Sequence, residues 1–247
     1  MGSLNSLFSQ VAQPASSGVT VVASAIINVN DLQTVLNGRV WLEGDMQEGD
    51  IVFWFGTGCH TSSNATSKLY PVFSSIPTMF TLLNTDYSGG TYKSSTAIFY
   101  HVLKSPCKGG MLLGFQNTLA NNYTAPVNFV YVVRGVDPSK ISFEETRRTT
   151  TARPTFPPID ISSNDYILAM TASGSNNNNY LPFLPSAGYD NFISKGSNLG
   201  ATYKVASAIL LRKPGVEGSY TEPTWNLAGT NQTYFSNSST VVKLSPL

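Results

Sequence analysis

The chain has 247 residues, enough to bury a sizeable core without disulfide or metal staples, and all-β sandwiches often reach this length as one unit. Only 12% of it is charged and the net charge is +1, with no basic block beyond EETRRTTTAR. A nucleic-acid partner, which needs clustered cations, is therefore not expected, and solubility rests on Ser, Thr, Asn and Gly instead.

The first thirty residues contain no Lys, Arg, Asp or Glu, and Asp31 is the first charge. Residues 1–18, MGSLNSLFSQVAQPASSG, lack periodicity and read as an extended arm, with Leu4, Leu7, Phe8 and Val11 as its apolar contacts. The absence of Lys and Arg before the apolar run speaks against a secretion signal, although ASA mimics a cleavage site. VTVVASAIINV has the β-branched richness of a strand, and Asn28 and Asn30 interrupt it too early for a membrane span. An uncharged arm can lie against another subunit without desolvating ions. NDLQTVLNG predicts one or two helical turns, capped by Asn30 or Asp31 and stopped at Gly38.

From there the pattern is β. RVWLEGDM, DIVFWFGTG, STAIFYHVLK, MLLGFQNTL and NFVYVVRGV are short apolar or alternating runs between turn residues. DPSKISFEETRRTTTARPTFPPIDISSN, with four prolines and most of the local charge, predicts a surface crossing over 139–162. Strands resume in DYILAMTASG, ATYKVASAILLRK and STVVKLSPL.

An internal repeat organises these runs. EGDIVFWFGTG resembles SNDYILAMTASG, with Asp50 on Asp165; YKSSTAIFYHVLKSP resembles YKVASAILLRKP; NFVYVVRGV lies over STVVKLSPL. The expected fold is an all-β, two-sheet antiparallel sandwich, jelly-roll-like, built from pseudo-repeated halves at about 40–138 and 163–247. The expected division is an arm and first β-rich run over 1–30 and a sandwich over 31–247.

The order of these motifs, with RGVDP and the second strand NDYILAM as its most specific parts, resembles a jelly-roll family of bacteriophage virion proteins. The resemblance covers about residues 40–247 and departs from the family in the first long loop, SSIPTMFTLLN, where a Gly-Trp turn is expected. It implies a structural protein of the virion, in a head-decoration, tail-fibre, adaptor or baseplate position, that assembles with itself as a homotrimer and with other virion proteins. None of its specific residues is catalytic, and it implies no cofactor.

No catalytic constellation is expected. Cys59 and His60 are adjacent, so in a strand they would point to opposite faces and could not converge on a metal with His101 or Cys107. His101 has no Gly-x-Ser-x-Gly partner for a triad. Glu144 and Glu145, with Asp160, read as a solvated ion-pair patch beside Arg147, Arg148 and Arg153 rather than a glycosidase pair. Cys59 and Cys107 form either one bridge or two free thiols, and sequons stand at Asn64, Asn122, Asn231 and Asn237.

The loops are richer. Tyr70, Phe73 and Phe80 fall in the first long loop, and Tyr180, Phe183, Tyr189 and Phe192 in the matching loop of the second half. Aromatics among amides and hydroxyls either plug the open end of a sandwich or form a contact site for a partner or a host surface glycan. The alternative function is accordingly a carbohydrate- or receptor-binding β-sandwich module.

Overall fold

The structure, a computed structural model, describes residues 18–28, 37–60, 69–71, 81–87, 93–117, 127–148, 154–175, 183–184, 192–197, 204–227 and 236–247. Among these the chain is nearly all β, and its one helical turn is a 3-10 turn at Pro138–Lys140, capped by the Asp137 carboxylate on the N–H of Ser139.

The strands of the first part are β1 (Thr20–Asn28), β2 (Asn37–Glu43), β3 (Ile51–His60), β4 (Leu69–Pro71), β5 (Thr81–Tyr87), β6 (Lys93–Val102), β7 (Gly110–Asn117) and β8 (Val127–Arg134). Those of the second are β9 (Ser142–Arg148), β10 (Pro158–Ile161), β11 (Tyr166–Ser175), β12 (Phe183–Leu184), β13 (Phe192–Ser197), β14 (Lys204–Arg212), β15 (Gly218–Thr221), β16 (Asn226–Leu227) and β17 (Ser236–Leu244). Two five-stranded antiparallel sheets dominate, ordered β1-β8-β3-β6-β5 and β9-β17-β11-β14-β13. The strands that the sequence repeat pairs, β3 with β11, β6 with β14 and β8 with β17, hold the same places in the two orders.

The sheets pack face to face. Ile51, Phe53, Phe55, Ile98, Phe129 and Tyr131 of one meet Leu168, Met170, Ile209, Leu211, Val242 and Leu244 of the other. Each such side chain, fully buried, contributes roughly 1.5–3 kcal/mol of transfer free energy.

The outer faces of both sheets are buried as well. Val52, Trp54, Phe99 and Val132 are covered by Leu42 and Met46, with Met111 and Leu113, from around the small sheet β2-β7-β4. Ile167, Ala169, Leu210 and Val241 are covered by Phe156, Ile159, Phe183 and Trp225, from around the pairs β10-β15 and β12-β16. The sandwich is thus sheathed on both sides. That is why Ile51 to Phe55 run as five consecutive buried apolar residues rather than alternating with polar ones.

The structure redraws two local expectations. The segment 139–162 is not only a surface crossing: β9 within it is the edge strand of the second large sheet, in register with β17 from Ser142↔Lys243 to Arg148↔Asn237. Its run SFEETRR reads as a loop because an edge strand tolerates charge that an interior strand cannot. Gly38 ends no helical turn; it sits in β2 opposite Phe115, while the rest of the expected turn lies outside the described residues.

Candidate contact surfaces

Both large sheets begin their central strand from the same turn. In the first half the N–H of Gln47 donates to Asp50 Oδ2 at 2.7 Å and the N–H of Asp50 to the carbonyl of Gln47 at 3.2 Å. In the second half Ser162 and Asp165 repeat this at 2.8 and 3.0 Å. Arg134 then closes on buried Asp50, whereas at the matching position in the second half Ser245 bonds Asp165. Gly135, at φ +83°, lets the chain turn away against Gly18; a side chain there would stand 2.6 Å from the Gly18 carbonyl oxygen.

A half-open cleft of about 730 Å³ lies at this end, lined by Gly18, Lys140, Asn164, Asp165, Tyr166 and Lys213 among others. Its charges are already engaged. Lys140 pairs with Asp137 at 3.1 Å; Lys213 reaches Asn164 at 3.4 Å and lies 5.8 Å from the centre of the Tyr166 ring. Asp165 sits below the usual carboxylate range. Burial pushes it up, but the Ser162 backbone N–H, the Ser245 and Ser162 hydroxyls and the charge of Lys243 together outweigh that.

The predicted aromatic loops come out unevenly. Phe183 is buried in the core beneath the second sheet, where it packs with Phe156, Ile159 and Trp225. Phe192 is half-buried in β13, edge-on to the Trp225 indole at 5.0 Å. The backbone of Tyr70 lies in β4 opposite Gln116. Phe73, Phe80, Tyr180 and Tyr189 lie outside the described residues, as do Leu4, Leu7, Phe8 and Val11 of the arm.

Cys107 is a free thiol, packed beside Met46 in the first half. His101 is half-buried in β6, and no group of three or more His, Cys, Asp or Glu among the described residues gathers to hold a metal. The sequon asparagine Asn237 is buried in β17, so it could not carry a glycan on the folded protein. No helix among the described residues is long and apolar enough to cross a membrane.

Two surface features remain: the first lies in the uncharged β-rich run that the sequence marks, and the second is not singled out by sequence. The first is an edge. Among the described strands β1 ends the first large sheet and pairs with β8 alone, and its nine residues TVVASAIIN carry no charge. Gly44 comes close to the carbonyl of Val22, and past that point no described strand pairs with the outer side of β1. Ile26 is 41% exposed there. The equivalent edge of the second sheet, β9, carries Glu144, Glu145, Arg147 and Arg148.

The second is a face. On β2-β7-β4, Leu42, Met111 and Leu113 point inward, and Trp41 and its cross-strand partner Leu112 point out, 53% and 46% exposed. The signal in RVWLE is a third apolar residue between two others, which alternation alone does not assign to a face.

The described geometry defines an all-β protein, a sheathed antiparallel sandwich. Compared with known proteins, the chain matches no family model, no curated protein and no solved structure.

Proposed function

We propose that the protein is a non-enzymatic structural module of a bacteriophage virion, a head-decoration or tail-adaptor component that assembles with copies of itself, as a trimer, and attaches to its particle through its N-terminal arm. The observation that carries the assembly reading is the β1 edge. An uncharged, nine-residue edge strand that no described strand pairs on its outer side can add a strand from another chain, and soluble proteins ordinarily guard such edges with charge, as β9 does. The sequence that precedes β1 adds no Lys, Arg, Asp or Glu to it.

The same proposal takes the sandwich as a duplicated jelly-roll-like unit. The matching strand orders of the two large sheets, and the matching turns at Asp50 and Asp165, support this.

Light scattering at micromolar concentration tests the assembly, and the expected species is a trimer. Removing residues 1–17, which spares Gly18 against Gly135, is expected to leave a folded sandwich that no longer binds particles lacking the protein. A monomer for the full chain, or binding that survives the truncation, would overturn the reading.

A further inference from the structure

The outward face of β2-β7-β4 carries an aromatic platform that the assembly role does not use. Gly110 has φ +147°, and a Cβ built on it would fall 2.5 and 2.6 Å from Cζ2 and Cε2 of Trp41. The indole therefore lies over the backbone of Gly110, in the space any other residue would fill. The residue is nevertheless 53% exposed. Glu43 stands two residues on along β2, on the same face and opposite Gly110, and it is exposed. Leu112 extends the apolar surface beside the ring.

We propose that this face binds carbohydrate, with one pyranose ring stacked on Trp41 and hydroxyls of the same or the next sugar held by Glu43. The C–H bonds on the apolar side of a pyranose present weak positive charge to the negative face of the indole, and the ring is about the size of that face. The other occupants fit less well. Trp41 and Leu112 together offer on the order of 200 Å², against roughly 800 Å² per partner in a stable protein interface, so a second copy of the chain would not be held here. A nucleic-acid strand also stacks bases on aromatics but needs a line of cations beside them, and Glu43 opposes it. The proposal does not rest on the virion reading, because it concerns a different face and a different partner.

Fluorescence gives a direct test. The chain has three tryptophans, and Trp54 and Trp225 are both 0% exposed, so an external ligand changes the signal of Trp41 alone. The full-length protein would be titrated with a panel of neutral polysaccharides: dextran, laminarin, yeast mannan and a galactan. At least one is expected to quench or blue-shift the emission saturably. Trp41→Ala is expected to weaken that binding about tenfold or more by calorimetry, Glu43→Gln several-fold, and Trp41→Phe less than Trp41→Ala. Near-UV circular dichroism and Tm confirm that the variants fold, as a half-exposed site permits. Binding unchanged in folded Trp41→Ala would overturn the proposal, as would no response to any of the polysaccharides. A Trp41→Ala variant that changes oligomeric state while the glycan panel stays silent would assign the face to a protein contact instead.

Discussion

Arg134 grips Asp50 with two parallel bonds across 84 residues of sequence, Nε to Oδ1 and Nη2 to Oδ2, each at 2.9 Å. The same Nη2 also donates to the carbonyl of Asp45 at 2.9 Å. The last residue of β8 thereby locks the turn that launches β3. Asp50 is 2% exposed and its oxygens accept from this partner and from the N–H of Gln47, and Asp50 in turn raises the guanidinium pKa, chiefly through the hydrogen bonds. Arg134→Ala is expected to cost about 2–4 kcal/mol in urea unfolding, below the top of the range for stranding a buried charge because Arg134 is 28% exposed. Arg134→Lys should recover only part of this, since an ammonium cannot make the bidentate contact. Equal stability of all three proteins would remove the lock from the account.

The second half solves the same problem without an arginine, and this sets an acid limit. The pKa of Asp165 is lowered in the folded state, so the stability it contributes is present above the unfolded value of about 3.9 and is lost as pH falls through the lower folded value. Unfolding midpoints in urea are expected to stay level in this respect from pH 7 to about 5, then fall below about 4. Asp165→Asn should cost about 1–2 kcal/mol at pH 7 and flatten the acid limb. Ser245→Ala should shift the limb toward higher pH. An Asp165→Asn profile parallel to that of the parent would show that the carboxylate is not the source.

Gly135 tests how tightly the two halves of the sandwich are joined at this end. The N–H of Leu247 donates to its carbonyl at 3.0 Å and the N–H of Asp137 to the carbonyl of Ser245 at 2.9 Å, so the turn after β8 pairs with the segment after β17. Gly135→Ala combines a left-handed φ with a contact on Gly18 and is expected to cost about 3 kcal/mol or more. Gly215→Ala has a comparable φ of +71° but nothing within 4 Å, and should cost only about 1 kcal/mol. Denaturant midpoints for the pair separate backbone strain from crowding.

Much of this fold is legible in the sequence because two-sided burial writes itself as unbroken apolar runs. IVFWF and YILAM need no alternation to be read as interior strands, and the acidic residue before each marks the turn. β9 hides because its exposed edge admits Glu and Arg, and short outer strands such as β10 and β15 hide because four residues carry little pattern. A sheathed sandwich needs large side chains to seal its outer layers, which places Phe183 in the core with Trp225 and brings the half-buried Phe192 edge-on to the same indole. Trp41 is the converse, an aromatic inside a strand that a glycine on the neighbouring strand turns into surface.

The β1 edge gives the assembly proposal a test that spares the core. Ile26 lies opposite Phe129 in the ladder but is 41% exposed, so a lysine there can reach water while placing a charge on the free edge. Ile26→Lys is expected to change stability by only about 0.5 kcal/mol and to shift the protein toward monomer in light scattering. Lysine at Glu144 on the already charged edge of β9, Glu144→Lys, should leave the oligomer intact. The same response from both edges would mean that β1 is not where copies meet.

Toward the other end of the sandwich the two sheets are joined by hydroxyls instead of apolar contact. Thr57 Oγ1 and Ser207 Oγ meet at 2.7 Å, and Thr96 Oγ1 and Ser238 Oγ at 2.8 Å, all four buried. Each pair bridges the first large sheet to the second, in line with the apolar contacts of Phe55 and Ile209. Thr57 also donates its single hydroxyl proton to the carbonyl of Val127 at 2.8 Å, so in the pair with Ser207 it accepts and the Ser207 hydroxyl donates. Thr57→Val keeps the shape but strands Ser207, and is expected to cost about 1–3 kcal/mol. Ser207→Ala alone should cost less, and the double variant should recover part of the sum, because two apolar groups facing each other leave nothing unsatisfied. A coupling near zero in that cycle would mean that the hydroxyls are solvated independently. A coupling of about 1 kcal/mol would make them a cross-sheet clasp, selected where strands rich in Ser, Thr and Gly have too little apolar volume to hold the sheets together.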